Sequence, residues 1–516
     1  MAAKLELPEF KVTLYKTMRR RMVTGSDKRS IPASERFSGS KRVLDITPFI
    51  GDGGVVETSK SVRQPAGRWS VGLVDRMESS AMDSLYGLIE PMDVIEIRMR
   101  HRSDPASAGA EMPIVMRGFV QDVRRSFSMG PDGRPQRQVT ISGGDYGAIL
   151  EMIRIRYLPN YVIGQNLLTV LKAFVNYGVD AKPSQPGNEF LAQIVDKVIN
   201  PFVRELASFG AAADANKLSY IQEFGYEAIA NAGTISAFGA QSSQGTLWDV
   251  LRSFLDVGPW TELFVEDRPD KMAAPERPGG VVLVYRNNPF KDLDPANGYI
   301  MPGKYAPEHR DVTEADIISL DTGRSEKDVV NYFQVNMPRM NLVDAATMNL
   351  VGQTMAPDDF FLADYQNATP KLYGMRFIEA DTQMGGPDSL GRFDGQAESI
   401  VRREQGGAKL WIDERRAQLM AQNKDNVVFE AGEMVLRGQA TLRPGMYLRV
   451  WHGGKSLPFS WECYVTAVQQ RMVPYQGYVT VVSFERGTGF AERIRREAGG
   501  VSAYLAEWNQ GGARGG

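Results

Sequence analysis

Hydrophobic and polar residues alternate with a period of two in short segments near both ends of the chain. Residues 10–14 and 95–99 show this alternation near the N-terminus. Near the C-terminus, Trp461, Cys463 and Val465 occupy every second position of another such run. A period of two indicates a β-strand with two different faces. We therefore predict a β-rich region at each end of the chain.

Turn-forming residues separate pairs of these predicted strands. The sequence Gly-Pro-Asp-Gly at 130–133 lies between predicted strands at 117–127 and 138–142. Proline presets one backbone angle, and Asp and Gly tolerate positive φ. Pro474 and Gly477 separate the C-terminal run from the strand that follows it. Both arrangements predict antiparallel hairpins. Further strands are predicted at residues 260–266, 281–285, 317–320 and 329–335, and in a β-rich region at 427–484.

The middle of the chain shows helical spacing instead. Apolar residues at 167–175 and at 191–198 recur every three or four positions, and Pro201 should stop or kink the second of these helices. Thr246 and Asp249 resemble a capping pair that opens a third helix. These three apolar stripes are more typical of helices packed in a core than of binding grooves.

Three other segments have distinct compositions. Residues 207–244 are rich in Ala, Gly, Ser and Asn, which predicts a loose insertion or an inter-domain connection. Residues 337–392 form a Met-, Asp- and Gly-rich section without a clear period. Residues 398–423 favour a helix, because charged residues, Ala, Leu and Gln dominate there. The roles of the first two segments stay open.

Length and charge narrow the class of protein. The chain has 516 residues, which is too long for one core and predicts three or four domains. The formal net charge of -2 disfavours a dedicated nucleic-acid binder. The single cysteine, Cys463, excludes an intramolecular disulfide. We expect no signal peptide and no membrane insertion, since no run approaches about 18 apolar residues.

A basic stretch lies between the first two predicted strands. It has two open interpretations: contact with DNA or with an acidic neighbouring subunit, or a solvated loop. Its cationic residues between 16 and 42 include Arg19, Arg20, Arg21, Lys28, Arg29, Arg36, Lys41 and Arg42.

Most motifs that would carry chemistry are incomplete. Gly454-Lys455-Ser456 resembles the end of a phosphate-binding loop, but Arg449 stands where that motif needs a glycine. The segment also lies between strands and not at the start of a helix. No serine has the spacing of a nucleophile elbow. Cys463 alternates within a strand, which is typical of a buried apolar residue.

Histidines and paired carboxylates offer little more. The chain has only three histidines, and none has the close spacing of a zinc helix: His101, His309 and His452. Glu379 and Asp381 have the spacing to share one strand face, and Asp358-Asp359 is another acidic pair. A glycan hydrolase needs two carboxyl groups about 5 to 9 Å apart across a cleft. With 62 acidic residues such pairs occur by chance, so we expect no catalytic, cofactor or metal site.

Several segments in a fixed order carry a resemblance to a known family. They match a strand with a polar turn, a boundary strand, a strand with its hairpin, a strand leading into a helix, and the entry to a second β region. The segments are residues 62–73, 91–97, 117–124, 141–147, 316–320 and 328–335. Together they resemble the hub family of tailed phages, related to late-control tail proteins and to the hub subunit of contractile baseplates.

This resemblance implies an architecture and partners. The implied fold class is α+β, with two tail-tube-like antiparallel β-barrel domains and helical and mixed α/β domains between them. Three chains would present six tube-like barrels between a hexameric tail tube, or distal tail ring, and a trimeric central spike. Other baseplate proteins would be further partners, and DNA would only pass through the channel. The implied location is the virion tail baseplate, after assembly in the host cytoplasm.

The expected domain division follows from the predicted elements. It comprises a first tube-like barrel at 1–145, a helical domain at 146–258, a small mixed segment at 259–316, a second barrel at 317–490 with a helical insertion at about 337–425, and a tail at 491–516. Two alternatives stay open. One is a tail-associated cell-wall or polysaccharide hydrolase, and the other is the hub of a phage-derived injection or secretion machine.

Overall fold

The computed structural model contains more β-strand than helix among the residues that it describes. It describes residues 8–25, 29–37, 42–51, 54–75, 84–101, 111–130, 133, 135–158, 161–163, 184–207, 221–228, 234–236, 245–269, 277–303, 305–336, 365–382, 384–385, 398–451 and 461–488. The predicted helix at 167–175, the Gly454-Lys455-Ser456 turn, the Asp358-Asp359 pair and the C-terminal tail lie outside these residues.

The strands are numbered in chain order. They are β1 Glu9–Tyr15, β2 Met18–Thr24, β3 Ser30–Arg36, β4 Val43–Asp45, β5 Val56–Ser61, β6 Arg68–Val74, β7 Val94–Arg100, β8 Ile114–Met129, β9 Pro135–Asp145, β10 Arg154–Leu158, β11 Tyr161–Ile163, β12 Ser184–Pro186, β13 Gly225–Ala228, β14 Thr234–Ser236, β15 Gly245–Thr246, β16 Thr261–Arg268, β17 Gly280–Asn287, β18 His309–Thr313, β19 Ile317–Gly323, β20 Tyr332–Asn336, β21 Phe377–Asp381, β22 Met384–Gly385, β23 Glu430–Arg437, β24 Tyr447–Trp451, β25 Trp461–Val473 and β26 Gly477–Gly487.

The α-helices are fewer and mostly short. They are α1 Leu85–Leu88, α2 Ala148–Met152, α3 Gly187–Ile194, α4 Asn200–Ala207, α5 Leu247–Phe254, α6 Pro370–Tyr373 and α7 Glu398–Asn423. A π-helical turn, Val195–Ile199, joins α3 to α4.

The β-rich ends of the chain meet in one large sheet. Its main path runs β19-β23-β26-β25-β5-β6-β9-β8-β7-β1-β4, and β24 and β18 attach beside β25. The structure therefore differs from two separate closed barrels. Among the described strands, no pair closes either end into a barrel. The two ends join because β25 is long enough to pair with β24 along its first part and with β5 along its second.

Each end nevertheless keeps its own core. Ile97 lies in the core of the N-terminal strands, and Val465 lies in the core of the C-terminal strands. Both side chains are fully buried. We call β1 with β5–β9 the first β unit, and β18, β19 and β23–β26 the second β unit. The predicted hairpins β8–β9 and β25–β26 are both confirmed.

Helices and a three-stranded sheet come between the two units along the chain. This sheet, which we call the middle sheet, has the order β13-β17-β16. Helices α3 and α5 pack on it through a shared core. Pro201 does not end its helix, since a π-helical turn precedes it and α4 continues past it. The capping box of Thr246 and Asp249 is confirmed. Part of the predicted loose insertion is ordered, because β13 pairs in parallel with β17.

A small subdomain forms around the long helix α7, which spans the predicted residues. Strand β20 pairs with β21 and packs on α7, outside the large sheet. This differs from the prediction that residues 329–335 belong to the second barrel. The physical reason is burial, since Phe333 and Val335 share a core with Trp260 of the middle region and with Ile412 and Leu419 of α7.

The described part of the basic stretch near the N-terminus forms a hairpin. Among the described strands, β2 and β3 pair only with each other, and none of their residues is fully buried. The base of the hairpin is anchored by Asp93, whose Oδ1 accepts hydrogen bonds from the backbone N–H groups of Thr17 and Met18 at 2.9 and 3.2 Å.

Candidate functional site

The two β units have the same strand order. In the first unit the neighbours are β1-β7-β8-β9-β6-β5, and in the second they are β18-β24-β25-β26-β23-β19. Numbered along the chain within each unit, both orders read 1-4-5-6-3-2. One difference is the direction of the first strand, because β1 is antiparallel to β7 whereas β18 is parallel to β24. The chain thus contains one strand arrangement twice.

Irregular features of the backbone recur at corresponding positions. Strand β8 has a bulge at Gln121, between the pairs formed by Val120 and Asp122. Strand β25 has a bulge at Thr466, between the pairs formed by Val465 and Ala467. A bulge inserts one residue at a defined place, so aligning the two bulges fixes the correspondence between the units.

The turns that precede β7 and β24 support the same alignment. Met92 has φ 73° and donates its backbone N–H to Val120 O at 2.7 Å. Gly445 has φ 85° and donates its backbone N–H to Val465 O at 2.8 Å. A positive φ is uncommon for methionine, so its occurrence at the position of a glycine indicates that the local fold imposes it.

Core residues also correspond once the bulges are aligned. Val120 corresponds to Val465, Ile141 to Val482, and Leu73 to Leu436. All six side chains are buried, three in each core. Corresponding positions share burial and apolar or aromatic character more often than the same residue type. For example, Phe119 corresponds to Tyr464, and Val71 corresponds to Met434.

A seam between β5 and the second part of β25 joins the two units. The strands are antiparallel, with Val56 opposite Met472 and Glu57 opposite Arg471. Val56 and Met472 are buried in the core of the first unit. The Gln469 side-chain amide donates a hydrogen bond to the Glu57 carboxylate across the seam. The pairs across the seam thus include an apolar pair, Val56 with Met472, and a hydrogen-bonded polar pair, Gln469 with Glu57.

Buried ion pairs tie the middle sheet to the first unit. Lys60 Nζ of β5 lies 2.8 Å from Asp145 Oδ2 at the end of β9 and 3.1 Å from Asp267 Oδ2 of β16. Burial alone would lower the pKa of Lys60, but the two carboxylates outweigh burial and raise its pKa above that of a free lysine. Lys60 is therefore charged and fixed between two elements.

A second buried network ties the middle sheet to the second unit. Arg286 Nε of β17 lies 3.1 Å from Glu262 Oε2 of β16, and its Nη2 donates to Gly445 O at 2.8 Å. The Tyr464 hydroxyl of β25 donates a hydrogen bond to Glu262. Burial raises the pKa of Tyr464 well above its usual range, so the hydroxyl keeps its proton.

Two stretches of the β units have open edges. Residues 122–129 of β8 pair with β9 on one side, and no described strand pairs with the other side. Strand β19 pairs with β23, and no described strand pairs with its outer edge. From Ile318 onwards every residue of β19 is exposed. Open edges expose unpaired backbone N–H and C=O groups to other chains.

The predicted carboxylate pair does share one strand face. Asn336 Nδ2 of β20 donates to Glu379 Oε1 at 2.6 Å and to Asp381 Oδ1 at 3.0 Å. Both carboxylates are exposed, and they point to the same amide instead of facing each other across a cleft. The arrangement is that of a surface hydrogen-bond cluster.

The other candidate residues lie apart from one another. Cys463 is fully buried, and burial raises the pKa of its thiol well above its usual range, so the thiolate is suppressed. His309 of β18 stacks on Tyr447, and burial and Lys291 lower the pKa of the imidazole. His101 follows β7, and His452 is outside the described residues.

Within the part of the chain that the structure describes, no cluster of three or more metal-binding side chains occurs. In the same residues, no helix is long and apolar enough to cross a bilayer.

Of three comparisons with known proteins, the one with solved structures gives matches, and tail proteins are among them. No protein-family model matches the sequence, and no curated protein matches it. The chain is similar to a solved 43 kDa tail protein of prophage MuSo2 from Shewanella oneidensis, with 11% identity over 92% of this chain and 98% of that chain and a TM-score of 0.40.

Two further solved structures are of the same kind. A tail protein from Neisseria meningitidis MC58 has 9% identity over 92% of this chain and 96% of that chain, with a TM-score of 0.39. The c3393 protein of E. coli, a component of the type VI secretion system, has 10% identity over 84% of this chain and 73% of that chain, with a TM-score of 0.33.

Proposed function

We propose that this chain is a structural hub subunit of a phage tail baseplate. The observation that carries the proposal is the duplicated β unit, two copies of one strand arrangement joined side by side in one sheet. A protein that offers two similar surfaces per chain is suited to contact a partner whose symmetry is twice its own. Its function then depends on interfaces and not on a catalytic pocket.

Ring geometry favours a homotrimer. Three chains with two units each give six similar units, spaced about 60° apart if the ring is closed. Such a ring matches a hexameric tail tube or distal ring on one side. It presents three-fold symmetry to a trimeric central spike on the other side. A channel on the axis would let DNA pass during genome ejection.

The same geometry also suits the hub of a phage-derived injection or secretion machine. Genomic neighbours separate these two versions of one structural role, because capsid and packaging genes accompany a virion. We propose a non-enzymatic role in both. The exposed Glu379 and Asp381, which share one amide, give no specific support to a hydrolase.

Light scattering and electron microscopy of the purified chain test the proposal. We expect a mass three times that of the 57.2 kDa chain and a three-fold ring with six similar densities around an axial pore. A stable monomer at micromolar concentration, with no ring in the assembled particle, would refute the hub.

A further inference from the structure

The internal seam shows how one β unit joins the next. Strand β5 is the second strand of the first unit, and it pairs with β25, the fifth strand of the second unit. The corresponding strands on the other two edges are β19, the second strand of the second unit, and β8, the fifth strand of the first unit. Both of these strands have an edge that no described strand covers.

The alignment of the bulges transfers the register of the seam to these open edges. Met472 corresponds to Phe127, because each lies seven residues beyond the residue that precedes its bulge. Val56 lies opposite Val71, and Leu320 lies opposite Met434, which corresponds to Val71. Val56 therefore corresponds to Leu320.

The apolar pair of the seam has exposed counterparts. Within the chain, Met472 and Val56 lie opposite each other and are 1% and 0% exposed. Their counterparts, Phe127 and Leu320, are 62% and 45% exposed. Phe127 and Leu320 are thus exposed, whereas the residues at the corresponding positions of the internal seam are buried against each other. Leu320 also lies on the same sheet face as the buried Met434, so the core of the second unit is uncovered at this edge.

The polar pair of the seam has charged counterparts of opposite sign. Gln469 corresponds to Arg124, and Glu57 corresponds to Asp321. The hydrogen bond between Gln469 and Glu57 would become an ion pair between Arg124 and Asp321. The guanidinium of Arg124 is 80% exposed.

The β19 edge also contains a repulsive charge pair. Asp321 lies directly opposite Glu433 in the antiparallel pair of β19 and β23, and both are exposed. Like charges at directly opposed positions destabilise a sheet. A cation supplied from outside the edge would relieve this repulsion.

We propose that β19 of one copy pairs in antiparallel fashion with residues 122–129 of β8 of a second copy, with Phe127 opposite Leu320 and Arg124 bound to Asp321. This contact repeats between chains the seam that β5 and β25 form within each chain. It is a heterologous contact, and such a contact generates a ring when its rotation closes. The inference rests on the proposed function, because it describes how the hub ring closes.

Cysteine cross-linking tests the register. The double variant Phe127→Cys with Leu320→Cys places one thiol on each open edge, and the native Cys463 is buried and does not compete. Mild oxidation should give reducible dimers and trimers of the chain. The matched control is Ser126→Cys with Leu320→Cys, because Ser126 is the adjacent exposed residue and points to the opposite face of the strand. It should give at least tenfold less cross-linked product.

A charge swap tests the same contact without thiols. Arg124→Asp and Asp321→Arg should each lower the trimer fraction measured by light scattering, and the double variant should restore it. Both side chains are exposed, so circular dichroism of each single variant should match that of the original chain.

The outcomes separate this inference from the proposed function. A trimeric ring whose Phe127 and Leu320 cysteines do not link, and whose charge swap is not restored, overturns the seam and leaves the hub intact. A chain that is monomeric alone and forms no ring in the particle overturns the hub itself. The single variants Phe127→Cys and Leu320→Cys can be oxidised within the assembled particle. A cross-link from either one to another tail protein, with no cross-link between copies of this chain in the double variant, also overturns the seam.

Discussion

Replacing Glu266 with glutamine should remove an acid-sensitive part of the stability of the middle sheet. Glu266 of β16 has a side chain that is 14% exposed, and its Oε2 lies 2.8 Å from Arg268 Nε. Its Oε1 lies 3.4 Å from Arg443 Nη1, in the turn before β24. Burial alone would raise the pKa of Glu266, but the two guanidinium groups outweigh burial and lower its pKa to about 2.

The shift in pKa sets the size of the effect. A fall from the usual value of 4.5 to about 2 corresponds to about 3 kcal/mol of folding free energy, at about 1.4 kcal/mol for each pKa unit. The sign follows from proton binding, because between these two pH values the unfolded chain binds more protons at this group than the folded chain does. The contribution is therefore complete above about pH 4.5 and is lost as the pH falls through about 2.

Chemical unfolding of Glu266→Gln and of the original chain at two pH values tests this reasoning. At pH 6 the variant should be less stable by about 3 kcal/mol, and at pH 3 the difference should fall to about half of that or less. Glu326→Gln is the matched control, because Glu326 is 73% exposed and pairs with Arg376 at the surface, where an ion pair contributes about 1 kcal/mol or less. A stability difference that is the same at both pH values would show that Glu266 acts through packing and not through its charge.

Three further predictions concern the cores, the surface carboxylates and a helix cap. Ile97→Asp and Val465→Asp should each destabilise their own β unit by several kcal/mol, measured by thermal unfolding, because each buries an unpaired charge; equal stability would contradict the core assignment. Glu379→Gln and Asp381→Asn should leave particle assembly unchanged and remove no cell-wall cleavage in a turbidity assay; a specific loss would support a hydrolase. Thr246→Ala should cost about 1 kcal/mol in chemical unfolding, because its hydroxyl caps the following helix.

Local patterns in the sequence predicted the local elements well. The period-two runs and the Gly-Pro-Asp-Gly turn predicted the β8–β9 hairpin, whose strands pair along almost their whole length. The capping pair at Thr246 predicted the start of α5, and composition predicted α7. These signals are reliable because each depends on residues that are close together along the chain.

Such local patterns did not predict the contacts between segments that are far apart along the chain. The pairing of β5 with β25 joins residues about 400 positions apart, and nothing in either strand specifies the other. The β2–β3 hairpin was also missed as a hairpin, because both of its faces are exposed and no apolar alternation was needed there. One signal in the sequence could have indicated the repeated unit. Pro91 stands immediately before Met92, and Pro444 stands immediately before Gly445, the two corresponding residues with positive φ.

The buried ion pairs have a consequence for the angle between the two β units. A ring of six units closes only if this angle is fixed, and a single pair of strands such as β5 and β25 twists readily. Lys60 ties the first unit to β16 through Asp267, while Tyr464 of the second unit binds Glu262 of the same strand. Buried charges are strongly penalised when their partners move away, so a changed angle would leave charges unpaired on either side of β16. The middle sheet thus holds the two units at one orientation through Asp267 on one side and Glu262 on the other. Its most buried charged residue, Arg268, pairs with Glu227 and Glu266 of the sheet itself and so keeps the sheet rigid between these two attachments.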